Sequence, residues 1–319
     1  MNLAKVDQIA KAVLYEGYML YPYRPSSVKN RQRWNFGVVY PQAYSDAQGG
    51  EEPCSMQTEC LVCGNSGTVL EVKVRFLQLQ ARSARQFGEA NSSLPDGWQE
   101  AVEREVDLPQ FSPETLCCEP LAKTFAFPAE AQLDRRQEAI QGHIDVTAAR
   151  AGRDLFKVSV VVRNHTLPKT RESSRDGALM HSLVSTHLIL GVEGGEFISL
   201  LEPPAELQEL AGQCRNVGAW PVLVGEPGQS DTLLASPIIL YDYPQIAPES
   251  AGDLFDGTEI DEILSLRIMT LTDEEKREIR QSDERARQIL ERTESMPAEQ
   301  FMKLHGAVRG LRPLREDTP

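Results

Sequence analysis

A chain of 319 residues with 41% hydrophobic and 25% charged side chains has a globular composition and is long enough to bury a sizeable core. A formal net charge of -14 argues against a general nucleic-acid binder and against docking to anionic membrane surfaces. It suits partners that offer basic or apolar surface. No run approaches the roughly 20 apolar residues of a membrane span. The opening MNLAKVDQIAKAVL lacks a signal-peptide layout, so a cytoplasmic protein is expected. The six cysteines are too few and too irregular for a disulfide framework and read as reduced thiols.

In chain order, Leu3, Val6, Ile9, Ala10, Val13 and Leu14 recur at helical spacing, and Gly17 and Pro22 end that helix. A basic, aromatic strip follows, carrying Tyr21, Tyr23, Arg24, Lys29, Arg31, Arg33 and Trp34, with Phe36 just beyond. From about residue 56 to 245 the pattern is mostly strand. TVLEVKVRFLQLQARS alternates with period two, which gives one buried and one wet face. GHIDVTAARAGRDLFKVSVVVRNHT reads as two strands around an Ala-Gly-Arg-Asp turn, and SLVSTHLILGVEGGEFISLLE as a hairpin turning at Gly191 to Gly195. A short helix is expected near 204–214, and DTLLASPIILYDYP adds a strand.

Residues 246–270 are acidic and turn-rich. From Asp242 to Glu262 there are seven acids, Asp253, Asp256, Glu259, Asp261 and Glu262 among them, and no lysine or arginine. The Thr272/Glu275 pair is a capping box opening a helix over 273–292, with Asp273–Arg277, Arg280–Glu284 and Asp283–Arg287 as ion pairs at i,i+4. The apolar stripe of this helix is thin. Pro297 starts a second helix carrying Phe301, Leu304 and Val308. The fold class is therefore α+β. A mostly antiparallel, sandwich- or barrel-like β body over 51–245 lies between an N-terminal helix and strip over 1–50 and an acidic linker with a helical hairpin over 246–319.

Candidate chemistry is sparse. Cys60 and Cys63 have the C-x-x-C spacing with which two thiolates hold one tetrahedral ion from a turn. Cys54 is a conceivable third ligand for zinc or an iron–sulfur cluster. No second such pair follows, and small buried thiols are the competing reading. His181 and His187, on one strand, would stand about 20 Å apart, too far to share an ion. No phosphate loop, calcium loop or nucleophile elbow is present. The two charged stretches carry more information. The basic strip and the acidic segment are natural partners for each other, within one chain or between two copies, and Arg–carboxylate forks would suit that contact.

LYEGYMLYPYRPSSVKNRQRWNFGVVYP, MQTECL, SPIILYDYPQIAPESAGDLFDGTEIDEIL and LTDEEKREIR, spread over nearly the whole chain, resemble a bacterial protein family. Its members are encoded beside high-affinity, actinobacterial-type nickel–iron (NiFe) hydrogenases, among their accessory proteins. The resemblance implies a hydrogenase-associated accessory protein, supplies no catalytic residues and implies no dependable cysteine at the position of Cys63. The expected function is a non-catalytic interaction protein with a protein partner. A metal-binding or redox protein on the Cys-x-x-Cys pair and a hydrolase on a β-rich scaffold are the alternatives.

Overall fold

A computed structural model describes residues 3–14, 33–82, 98–132, 135–168, 174–245, 268–282 and 284–297. Its centre is a ten-stranded antiparallel sheet, not closed into a barrel. The spine is β1, Ser55–Arg82. Its first half pairs with β7 (Leu155–Asn164), its second half with β2 (Trp98–Asp107), and its opposite edge with β8 (Val184–Ile198). Outward from β7 come β6 (Ile140–Arg150) and β3 (Leu121–Phe127). Outward from β8 come β10 (Thr232–Ser236) and β9 (Trp220–Leu223). Short β4 (Glu130–Ala131) and β5 (Arg135–Gln137) pair at the far end of β1.

The sheet folds back on itself. Phe125 and Phe127 of β3 are not ladder neighbours of β1, yet each ring centroid lies 5.8 Å from that of Phe76 in β1. Offset and edge-on rings at this separation attract beyond their burial. The main core lies between these faces, where the inward alternation of β1 places Met56, Cys60, Val62, Leu70, Val72 and Val74.

The expected hairpin at Gly191–Gly195 is instead one continuous strand, β8. Its glycines serve close approach. β1 pairs with β8 through Gly64↔Gly195, then resumes at Val69↔Glu193, so three residues of β1 are extra. This excursion is closed by Asn65 N–H donating to Thr68 Oγ1 and by Thr68 Oγ1 donating to the Gly194 carbonyl, both at 2.8 Å. A Cβ on Gly195 would lie 2.6 Å from the Cys63 carbonyl oxygen, closer than real Cβ atoms come. A bulge of this size therefore needs glycine opposite it.

Strand β2 carries WQEAVEREVD, a sequence with several helix-favouring residues, and its strand state comes from tertiary pairing. Opposite it, Lys73 meets Glu105 at 2.7 Å and Arg75 meets Glu103 at 3.4 Å across the wet face of β1.

Helix α1 (Leu3–Leu14) buries Val6, Ile9 and Ala10 against Ile189, Val222 and Leu234. Short helices α2 (Gln42–Ala47), α3 (Pro113–Leu116), α4 (Arg175–Leu179) and α5 (Gln208–Gly212) close the edges of the body. The tail differs from expectation. In place of one helix over 273–292 there are two, α6 (Asp273–Ser282) and α7 (Glu284–Glu294), packed on each other. The capping box forms as read: Thr272 N–H donates to Glu275 Oε2 at 2.9 Å. Arg280 bonds Glu294 at 2.5 Å, and Lys276 joins it at 3.3 Å, which ties the two helices together; the Glu284 side chain lies outside the described residues. Burial alone would raise the Glu294 carboxyl, but these two cations hold it below its ordinary range.

Of the thin stripe expected from Ile279, Ala286, Ile289 and Leu290, the Ala286 side chain lies outside the described residues and the other three are buried. These three pack beside Leu14, Trp34, Tyr44, Leu77 and Leu179 in a second core of this same chain. The expected second helix from Pro297, with Phe301, Leu304 and Val308, lies outside the described residues, as does Asp283.

Candidate functional site

Of the basic strip, Tyr21, Tyr23, Arg24, Lys29 and Arg31 lie outside the described residues, and so do Asp253, Asp256, Glu259, Asp261 and Glu262 of the acidic segment. The described end of the strip is folded inward. Arg33 and Trp34 are buried, the Arg33 guanidinium sits 5.1 Å from the Trp34 ring centroid, and Arg33 Nη2 donates to the Gln99 carbonyl at 2.8 Å. Asp242, the first acid of the acidic segment, accepts from Leu223 N–H at 2.8 Å and from Ser199 Oγ at 2.5 Å, which makes it a loop anchor.

The C-x-x-C pair sits inside strand β1, and the turn begins one residue after it. Residues three apart on a strand face opposite ways. Cys60 accordingly points into the main core, and Cys63 packs outward with Leu61, Cys214 and α5. Burial pushes the Cys60 thiol far above its usual range and Cys214 up to about 11, which keeps both protonated and inert. The Cys54 thiol donates to Gln42 Oε1 at 3.1 Å. Among the described residues, no group of three or more His, Cys, Asp or Glu side chains is placed to hold a metal ion.

His181 falls in the turn after α4, not on a strand with His187. His187 on β8 is fully buried. Its Nδ1 faces the Ser185 carbonyl at 2.9 Å, and burial lowers its pKa to about 4, so the ring is neutral at physiological pH.

The most site-like feature is a cleft of about 290 Å³ between the segment leaving the strip and the last strands of the sheet. Residues 36–39 run beside the start of β8: the Phe36 carbonyl accepts from Ser185 N–H at 3.1 Å, and Val39 N–H donates to the Leu183 carbonyl at 2.8 Å. Gly37 forms the floor with φ +53°, and a Cβ there would lie 2.7 Å from Pro237 Cγ. Only glycine meets both conditions without strain. Arg175 of α4 holds the wall. Its Nη2 donates to the Trp34 carbonyl and to Asn35 Oδ1, both at 2.8 Å, and its Nη1 donates to the Arg33 carbonyl at 3.1 Å.

At the mouth stand Phe36 and Trp220, 38% and 40% exposed. Beyond Pro237 the chain alternates: Ile238 and Leu240 pack toward α1, while Ile239 and Tyr241 face solvent at 75% and 82%. The adjoining sheet edge is closed to strand addition. Pro221 has no N–H to offer, and Leu223 gives its N–H to Asp242 and its carbonyl to Tyr243 N–H. Whatever meets this surface must therefore meet side chains. Sequence reading named Phe36 as the neighbour of the strip but not Trp220, Glu52, Arg175, Ile239 or Tyr241.

Fold and site together define an antiparallel β protein with an aromatic-mouthed surface cleft. The chain matches no protein-family model and no curated protein. Among the described residues no helix is long and apolar enough to cross a membrane.

Proposed function

We propose that this is a non-catalytic, cytoplasmic binding protein that docks a protein partner at the aromatic-mouthed cleft. With the sequence resemblance to hydrogenase-associated proteins, the partner class is a nickel–iron hydrogenase subunit. The observation that carries the reading is a cleft lined by two exposed aromatic side chains, Phe36 and Trp220, with the exposed Ile239 and Tyr241 following its lining residue Pro237 in the chain. Exposed apolar patches of this kind mark interaction surfaces. Aromatic side chains at a pocket dominate binding energy when a partner buries them.

The test is affinity purification of the full chain from its native host, followed by identification of hydrogenase subunits. The wild type should recover them. Phe36→Asp with Trp220→Asp should lose them while the chain still unfolds in one cooperative transition, its stability lowered by about 2–4 kcal/mol because each ring is more than half buried. Undiminished recovery by the double variant would contradict the reading.

A further inference from the structure

The cleft is specific in what it can still bond. Its cation keeps its charge but has its donors engaged by neutral acceptors: the Arg175 amino groups point at the carbonyls of Arg33 and Trp34 and at Asn35 Oδ1, which leaves little donor capacity for an anionic ligand. Its anion is not spent. Glu52 lines the cleft, and among the described residues its carboxylate has no hydrogen-bond or ion-pair partner. That carboxylate is near the hydroxyls of Tyr40 and Tyr44, both raised above their usual range by burial first, with Glu52 adding to the shift and Arg175 opposing it. Asp176 adds further negative potential near Tyr44. Phe36 and Trp220 line the cleft with partly exposed aromatic rings, and the whole chain is at -14.

We propose that the cleft receives an arginine or lysine side chain carried by an otherwise apolar segment of the partner. The proposal rests on the docking reading above and adds the chemistry of what docks. The aliphatic stem of such a side chain packs along the aromatic mouth while its head reaches a carboxylate. Glu52 then gains a charge-assisted hydrogen bond that the free protein lacks. An acidic or phosphorylated segment would meet two carboxylates, Glu52 and Asp176, against the single charge of Arg175, whose donors are already occupied.

The probe is an acetylated, amidated pentapeptide, Leu-Pro-Arg-Pro-Leu, beside a twin with citrulline, which has arginine's shape without its charge. Binding is read on the full chain labelled with 5-fluorotryptophan, whose three tryptophans give separate fluorine signals. The Trp220 signal is assigned by its absence in Trp220→Phe. The arginine peptide should shift that signal saturably at millimolar concentration. Citrulline, or Glu52→Gln in the protein, should each weaken binding roughly tenfold or more. Equal binding of the twins, indifference to Glu52→Gln, or no saturable shift with the arginine peptide would each overturn the proposal. If hydrogenase recovery still depends on Phe36 and Trp220 in that case, the docking reading survives and only the basic side chain is lost.

Discussion

The tail hairpin and the cleft use apolar side chains in opposite ways. In α6 and α7 apolar residues are scarce, and Ile279, Ile289 and Leu290 are all buried against the chain's own body. At the cleft Phe36 and Trp220 remain partly in water, and so do Ile239 and Tyr241 in the segment that follows its lining residue Pro237. An amphipathic helix with a thin stripe invites the idea of docking to something else. Here the stripe is already satisfied within the chain, and the unsatisfied surface belongs to an irregular connection beside the last strands. Free apolar surface, not amphipathicity alone, marks where a partner gains by arriving.

The strongest way to break this contrast is to remove the tail. Truncation after residue 270 strips cover from the second core, which also holds Leu14, Trp34 and Leu77. At about 1.5–3 kcal/mol for each fully buried aliphatic side chain, losing three removes roughly 5–9 kcal/mol of gross stabilisation, comparable to the whole stability of an ordinary domain. Denaturant unfolding should show the truncated chain largely unfolded or severely destabilised. A truncated chain as stable as the full one would mean that the tail is an appendage after all.

A smaller effect tests the covered side of the sheet, where His187 shares a face of β8 with Ile189 beneath α1. Its folded pKa of about 4 lies below its ordinary 6.5, so below pH 6.5 the unfolded chain binds the proton more readily. The stability contributed by neutral His187 is complete above pH 6.5 and is lost as pH falls toward 4. The full loss is on the order of 3 kcal/mol. Urea midpoints measured across that window for wild type and His187→Gln should differ in slope, the variant being flatter. Parallel curves would show that the ring is not held neutral by burial.

How far the sequence revealed this follows from where each signal resides. Alternation along β1, the stripe of α1 and the Thr272–Glu275 capping box are local and were legible. The glycines of β8 were not, because glycine serves a hairpin turn and a tight strand approach equally well, and only the bulge of β1 decides between them. β2 hid behind its glutamates, which become intelligible once Lys73 and Arg75 lie opposite. The break between α6 and α7 was masked by favourable i,i+4 charges, whereas the contacts of Arg280 and Lys276 with Glu294 join residues 14 and 18 apart in the sequence, beyond the reach of a local pattern. Of the cleft, only Phe36 could be suspected. Glu52, Arg175 and Trp220 come from distant segments, and nothing near Trp220 distinguishes an exposed tryptophan from a core one.

Site-directed photocrosslinking in the native host tests the central claim most directly. One full-length variant carries p-benzoylphenylalanine in place of Trp220, and another carries it in place of the exposed Arg277 on α6. The account predicts covalent adducts with a hydrogenase subunit from position 220 and none from position 277. Adducts from position 277 with none from position 220 would contradict it and return the docking role to the tail.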